Sequence, residues 1–307
     1  MNRSAHPDFD VAVVGASCAG LFAAEHLART GMSVCLFERK ETIGSPVRTW
    51  IVTDRLKEFL GEYPQDAIVH TTGVMEMRAS EAVCSVPLTP PDLIVDRTEL
   101  LRYLERRAEA AGVEIHRSCS LSDVRSRAGA LRLEIADRVG GTQHYTARHL
   151  VGADGTASRV AKIFGARDQV VVPIVQARVR LRDEYDPDVT TVWFDRYGTR
   201  FFYWLIPDST EYGVLGLVPE RASTARGDLD SFLIEHSLEP LEYQGAMIPL
   251  HQPGRKIEWR INGSRVLLVG DAAAHVKVTT VGGVVSGLWG ASSAAKALAK
   301  GTSYRAA

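Results

Sequence analysis

The sequence has no surplus of charge: 36 Lys and Arg stand against 37 Asp and Glu in 307 residues. Near-neutrality leaves no global field to gather nucleic acid or an anionic membrane, so no nucleic-acid partner is expected. The basic cluster Arg102, Arg106 and Arg107 is interleaved with Glu99, Glu105 and Glu109, the pattern of a solvated helix face. Cysteine is scarce as well. Cys18, Cys35, Cys84 and Cys119 make no Cys-x-x-Cys pair and no ligand spacing with histidine, which removes a disulfide-framed or zinc-framed fold. No metal is expected. No stretch approaches the length of uncharged apolar sequence that a bilayer-spanning helix needs, so membrane contact is at most peripheral. The opening MNRSAHPDFDV lacks the apolar centre of a signal peptide. Together these absences point to a reduced, cytoplasmic protein, long enough to bury a substantial core.

What is present begins at DVAVVGASCAGLF, Asp10 to Phe22. Val11 to Val14 reads as a strand buried on both faces. Leu21, Ala24, Leu27 and Ala28 then recur at helical spacing, and Gly31 supplies the stop. SVCLFE follows as a second apolar strand ending in Glu38, close to the roughly 20-residue separation at which an acid grips a ribose hydroxyl. The fingerprint Gly-x-Gly-x-x-Gly has one defect here: Ser17 stands between Gly15 and Gly20. Gly15 suits a tight turn, and Gly20 a close helix–strand approach. Ser17 is the smallest substitute at a position where backbone must come near a pyrophosphate on a helix N-terminus, and its hydroxyl can itself donate. Strand, helix, strand and acid all fall in place, so the segment reads as dinucleotide-binding with Ser17 a tolerated variant.

Two later turns repeat the theme. In VDRTELLRYLERRAEAAGVEIHRSCSL a strand end, a helix capped by Asp96 and a further strand follow one another. HLVGADGTASRVAKIFG brings a strand end to Gly152, Asp154 and Gly155, with Asp154 read as a helix cap. RVLLVGDAAAHVKVTTVGGVVSGLWG has a strand, then Gly270-Asp271, then Gly282-Gly283 opening a long helix of small residues. Segments 68–90 and 169–219 carry alternating β-branched and aromatic residues, as in VTTVWFD, RFFYWLIP and EYGVLGLVP, and read as antiparallel strands of an inserted sheet.

The N-terminal turn with Glu38, GADGTASRV and VGDAA together resemble FAD-dependent oxidoreductases of the glutathione-reductase-like, aromatic-hydroxylase-like fold. Two stretches are similar, more narrowly, to the geranylgeranyl reductase family: IGSPVRTW (Ile43 to Trp50) and GDAAAHVKVTTVGG (Gly270 to Gly283). The departures are Thr49 where the family has cysteine, Val278 where proline is usual and Val281 where the first of three glycines is usual. The resemblance implies an α/β fold: a Rossmann-like FAD-binding domain over 1–67, 91–168 and 255–307, with an inserted antiparallel β-sheet substrate domain over 68–90 and 169–254.

By the same resemblance Gly15, Ser17 and Gly20 hold the FAD pyrophosphate, Glu38 with neighbouring Arg39 the adenosine end, and Arg48 and Arg97 the phosphate and ribityl region. Asp271 takes the ribityl or phosphate part, while Gly282, Gly283 and Val284 face the isoalloxazine, where a helix N-terminus stabilises an anion. FFYWLIP resembles the family's Tyr-x-Trp-x-Phe-Pro. Trp50, Trp193, Phe202 and Trp204 are the expected walls of an apolar pocket for a hydrophobic or lipid substrate, although an aromatic strand equally serves as core. The implied reaction is reduction of carbon–carbon double bonds in a prenyl or isoprenoid substrate by hydride transfer from reduced flavin N5. No second dinucleotide turn follows a later strand, so electrons come from NAD(P)H bound transiently or from a redox partner. Threonine cannot ionise usefully, which leaves Thr49 a hydrogen-bonding role. The acid is then sought at Tyr203, His275 or water, with a structural histidine the alternative for His275. Lys277, Thr279 and Thr280 form either an anion site or a loop at the flavin edge. Two rivals share the cofactor: a flavin monooxygenase or halogenase acting on a hydrophobic or aromatic substrate, and a non-catalytic flavin-binding redox partner.

Overall fold

The computed structural model describes residues 6–44, 48–127, 129–195 and 198–304. It divides into two compact units, one of 1–46, 100–169 and 250–307, the other of 47–99 and 170–249. In chain order, the first segment supplies β1 (Phe9–Val14), α1 (Cys18–Ala28) and β2 (Val34–Phe37). Then come β3 (Thr49–Val52), α2 (Leu56–Leu60), β4 (Ile68–Ala79), β5 (Ala82–Asp96) and α3 (Arg97–Ala110). The next stretch gives β6 (Glu114–His116), β7 (Cys119–Arg127), β8 (Ala130–Asp137), β9 (Thr142–Gly152) and α4 (Arg159–Ile163). It is followed by β10 (Val171–Arg180), β11 (Val189–Trp193), β12 (Tyr203–Pro207), β13 (Tyr212–Leu217), α5 (Ala225–Glu235) and β14 (Pro240–Pro249). Last are β15 (Glu258–Ile261), β16 (Ser264–Leu268) and α6 (Val284–Lys300).

The first unit is built on a sheet in the order β15-β16-β9-β1-β2-β6. The pairs β16·β9, β9·β1, β1·β2 and β2·β6 are parallel. Valine-rich β1 is buried from Val11 to Val14, as a central strand covered on both faces requires. β9 is long enough to serve twice: its later half joins the parallel sheet, and its earlier half pairs with β8 in an antiparallel meander continued by β7. The register aligns the carboxyl ends. Val14 lies opposite Phe37 and Gly152, and Gly152 opposite Leu268, so the residues that follow all leave at one edge. Helices α1 and α6 approach closely because small residues meet there. A Cβ at Gly287 would stand 3.5 Å from Gly270 Cα and 3.6 Å from Ala19 Cβ.

The second unit is a sheet in the order β14-β10-β13-β12-β11-β4-β5-β3. One face is buried beneath α5, whose Leu229, Phe232 and Leu233 pack on Trp193, Tyr203, Leu205, Leu215 and Leu217. The sheet is antiparallel except at β11·β4, which run parallel. Those strands come from separate chain segments, so no hairpin fixes their direction. The boundaries differ from those expected. Residues 47–67 and 91–99 go with the second unit because β3 extends its sheet through β5, with Thr49 opposite Asp96 and Val52 opposite Leu93. Asp96 caps α3 as read, accepting from the N–H groups of Thr98 at 2.7 Å and Glu99 at 3.0 Å. Arg107 leaves the solvated face expected of it and donates at 3.0 Å to fully buried Glu25. No helix among the described residues is long and apolar enough to cross a membrane.

Candidate functional site

The turn after β1 is fixed by sterics. Gly15 has φ +103°, and a Cβ there would stand 2.5 Å from the Ala153 carbonyl oxygen. A Cβ at Gly20 would overlap the Gly15 carbonyl oxygen and lie 2.9 Å from Ala153 Cβ. Neither position admits a side chain. Ser17 is the N-cap of α1, its hydroxyl oxygen accepting from the Gly20 N–H at 3.2 Å. The hydroxyl hydrogen remains available to a ligand, so Ser17 combines capping with the small size that the defective fingerprint demands.

Glu38 begins where β2 ends. Its carboxylate accepts from the Ala16 N–H at 2.8 Å and the Lys40 N–H at 2.9 Å. This ties the exit of β2 to the glycine turn, a bond that the 23-residue spacing suggested only as a ligand contact. A carboxylate offers about four acceptor positions, so capacity for a hydroxyl donor remains. Alongside lies a cavity of about 390 Å³ lined by Arg39, Lys40, Glu41, Thr42, Ser118 and Arg138.

Asp154 is a structural cap. Its carboxylate accepts from the N–H groups of Arg159 at 2.6 Å and Val160 at 3.1 Å, and from the Ser158 hydroxyl at 2.5 Å. Asp271 is placed differently. It follows β16 in the short 3-10 turn Gly270–Ala273, burial pushes its carboxyl above the usual carboxylate range, and a Cβ at Gly283 would stand 3.1 Å from its Oδ1. The start of α6 therefore opens beside Asp271. Among the described residues no side chain caps that helix, in contrast to α1. Gly283 has an ordinary φ of −109°, and a Cβ at Gly282 would meet nothing closer than Lys277 Cε at 3.1 Å. At Gly282 the flexible end of Lys277 would have to give to a side chain, and at Gly283 the Asp271 carboxylate would.

His275 does not fit the role of an acid. A Cβ at Gly290 would overlap its ring, so the imidazole packs against α6 well past the helix start. Its buried Nδ1 has no hydrogen-bond partner among the described residues. Burial, and secondarily His251, lowers its pKa to about 4. This is a neutral packing histidine.

In the second unit the expected residues separate by face. Tyr203 and Trp193 point into the core. Tyr203 stacks on Phe232 with centroids 4.0 Å apart, Trp193 meets the same ring edge-on at 5.4 Å, and burial raises the Tyr203 pKa to about 12. Neither is a pocket wall, and Tyr203 is not a poised acid; the two-residue alternation along the strands puts both under α5. Phe202 and Trp204 lie on the opposite face, 5.9 Å apart, with Phe194 6.3 Å from Phe202. Sequence reasoning missed Gly216, over which the Trp204 indole lies, so that a Cβ there would overlap the ring. A glycine inside a strand is the signal of such a close approach. Beside it Gln176 donates to Gln244 at 3.0 Å.

Of the motif IGSPVRTW, Ser45, Pro46 and Val47 lie outside the described residues. Arg48 donates through Nη2 to the Gly245 carbonyl at 2.7 Å, and its buried Nε has no partner among the described residues. The Arg97 guanidinium lies 5.3 Å from the centre of the Trp50 ring. Within this unit both guanidinium groups are thus already engaged.

A family model described as an FAD binding domain matches residues 8–226. The chain belongs to this FAD-binding family. The match opens at β1 and takes in the glycine turn, Glu38 and the Asp154 cap. Digeranylgeranylglycerophospholipid reductase 2 of Methanothermobacter thermautotrophicus is 28% identical over 290 residues, 90% of this chain and 74% of its own length. The chloroplastic geranylgeranyl diphosphate reductase of Oryza sativa subsp. japonica is 29% identical over 299 residues, 87% of this chain and 61% of its own. Among solved structures, a geranylgeranyl bacteriochlorophyll reductase-like protein of Thermoplasma acidophilum superposes with a TM-score of 0.85 at 19% identity, covering 95% of this chain and 78% of the other. A flavin-dependent brominase does so at 0.75 and 17%, covering 95% and 79%. The fold of this FAD-binding chain is thus shared by a reductase-like protein and a flavin-dependent brominase.

Proposed function

We propose that the chain is an FAD-dependent reductase of carbon–carbon double bonds in an isoprenoid substrate. The observation that carries the cofactor reading is the row of strand ends: Gly15, Glu38 and Asp271 leave parallel strands at one edge, beside a start of α6 that no side chain caps. Ligands of open α/β sheets sit at that edge. Gly15, Ser17 and Gly20 admit a pyrophosphate to the N-terminus of α1, Glu38 accepts from a ribose hydroxyl, and Asp271 accepts from the ribityl chain. Gly282, Gly283 and Val284 offer backbone N–H groups to an anion. When bound, FAD supplies the electron-transfer chemistry.

The substrate class follows from relatives named for geranylgeranyl substrates and matching about nine-tenths of the chain. The apolar face that carries Phe194, Phe202 and Trp204 suits a prenyl chain. With Tyr203 raised to about 12 and His275 lowered to about 4, neither side chain is tuned to give up a proton near neutrality, and water is assigned that role. Thr49 supplies at most a hydrogen bond. Electrons come from a nicotinamide dinucleotide or a redox protein, in a cytoplasmic setting with peripheral access to lipid.

The test is anaerobic. The purified, photoreduced holoprotein is mixed with prenyl lipids, and reappearance of the oxidised flavin bands is followed together with product saturation. Reoxidation by a prenyl lipid supports the reading. Turnover that needs oxygen and leaves alkenes intact replaces it with the monooxygenase or halogenase reading.

A further inference from the structure

The segment between the Gly270–Ala273 turn and α6 is held as a closed loop. The Lys277 N–H donates to the Gly282 carbonyl at 3.0 Å, and the Val281 N–H donates to the Lys277 carbonyl at 3.1 Å. Closing this loop places Val281 at φ +50°, a left-handed conformation that β-branched residues avoid. Strain of this kind persists where the surroundings over-determine it, and it clusters at functional sites.

The loop lays the Lys277 side chain along Gly282. A Cβ at Gly282 would stand 3.1 Å from Lys277 Cε and 3.8 Å from its Nζ. At the next residue, Gly283, the nearest side-chain atom is Asp271 Oδ1. A cation and an anion therefore flank the uncapped start of a 17-residue helix, yet no ion pair joins Lys277 to Asp271 among the described residues. The helix start already carries about half a positive charge, to which the ammonium adds.

We propose that Lys277 is a positioning residue for FAD, its ammonium adding to the N-terminus of α6 to favour the reduced, anionic ring over the oxidised, neutral one. Uptake of two electrons and one proton turns a neutral ring into one bearing a single negative charge, and only that product gains from a neighbouring cation. The proposal rests on the FAD reading but not on the substrate. The external donor of the proposed reaction, or dithionite in a test, supplies the electrons.

The experiment is a spectroelectrochemical titration of the FAD-loaded protein. Lys277→Gln is expected to lower the equilibrium constant for two-electron reduction about tenfold, a fall of about 30 mV in midpoint potential. Lys277→Glu is expected to lower it further, and Lys277→Arg to restore it. The difference between wild type and Lys277→Gln should shrink as ionic strength rises, since the lysine is exposed. Affinity for oxidised FAD should change less than twofold, a result that a loss of structure would not give. An unchanged potential in the glutamine variant, or equal potentials for arginine and glutamine, overturns the proposal. A potential shift without reaction on prenyl lipids leaves it standing and removes only the substrate. A protein that holds no FAD overturns both.

Discussion

Gly15 and Gly20 after β1 cannot carry a side chain, whereas at Gly282 and Gly283 before α6 the nearest obstacles are side-chain atoms. The first pair is packed against the backbone of Ala153 and against itself. The second pair is nearest to side chains: the end of exposed Lys277 at 3.1 Å for Gly282, and Asp271 Oδ1 at 3.1 Å with Val276 Cγ1 at 3.5 Å for Gly283. In the sequence the two pairs look alike. In the molecule the first is demanded by the fold, and on the proposed reading the second is demanded by the cofactor, so substitutions should separate stability from cofactor retention.

The largest effect is expected at Gly15. Gly15→Ala forces a Cβ into the Ala153 carbonyl at a left-handed φ, and should destabilise the protein by at least about 3 kcal/mol. The contact with Ala153, the residue after β9, predicts loss of soluble protein, read from the soluble fraction and the thermal midpoint. A soluble variant with a wild-type midpoint would break the comparison.

Glu38→Ala comes next, because it touches both roles. It removes the two bonds that hold Ala16 and Lys40. We expect a loss of about 2 kcal/mol in chemical denaturation, together with at least about tenfold weaker FAD binding. Loss of affinity without loss of stability would mean that the carboxylate serves the ligand alone.

Acidification should produce a smaller, graded loss. His275 and His149 are both lowered by burial from 6.5 to about 4. Each therefore binds more proton in the unfolded chain than in the folded one between those values, so stability falls as pH drops through the window. Asp154 and Asp271 are raised by burial from 3.8 and act with the opposite sign just above that value, which leaves the histidine loss clearest in the upper part of the window. Denaturation midpoints at pH 7 and pH 5, with His149→Gln and His275→Gln flattening the difference, check the sign.

What was legible in the sequence was local. The β1–α1–β2 unit, the Asp96 and Asp154 caps and the glycine-opened α6 each follow from neighbouring residues and appear as read. The alternation in FFYWLIP already put Tyr203 on one face and Phe202 with Trp204 on the other. Which face α5 would cover is set by a helix more than twenty residues later, and that decided against Tyr203 and Trp193. For His275 the neighbouring residues leave an acid and a structural histidine equally open, and the observation that favours the second, the ring lying on Gly290, involves a different element. Glu38 was found by its spacing, but its bond to the turn backbone shows only in three dimensions.

The most direct measurement is the FAD affinity of Gly282→Val, followed by quenching of flavin fluorescence on titration into apoprotein, beside its unfolding midpoint. The position has no left-handed φ, and its nearest neighbour is the end of a flexible side chain. The expected result is a stability within about 1 kcal/mol of wild type and FAD binding weakened at least about tenfold. Wild-type affinity in a stably folded variant would contradict it, because the start of α6 would then not be where the cofactor lies.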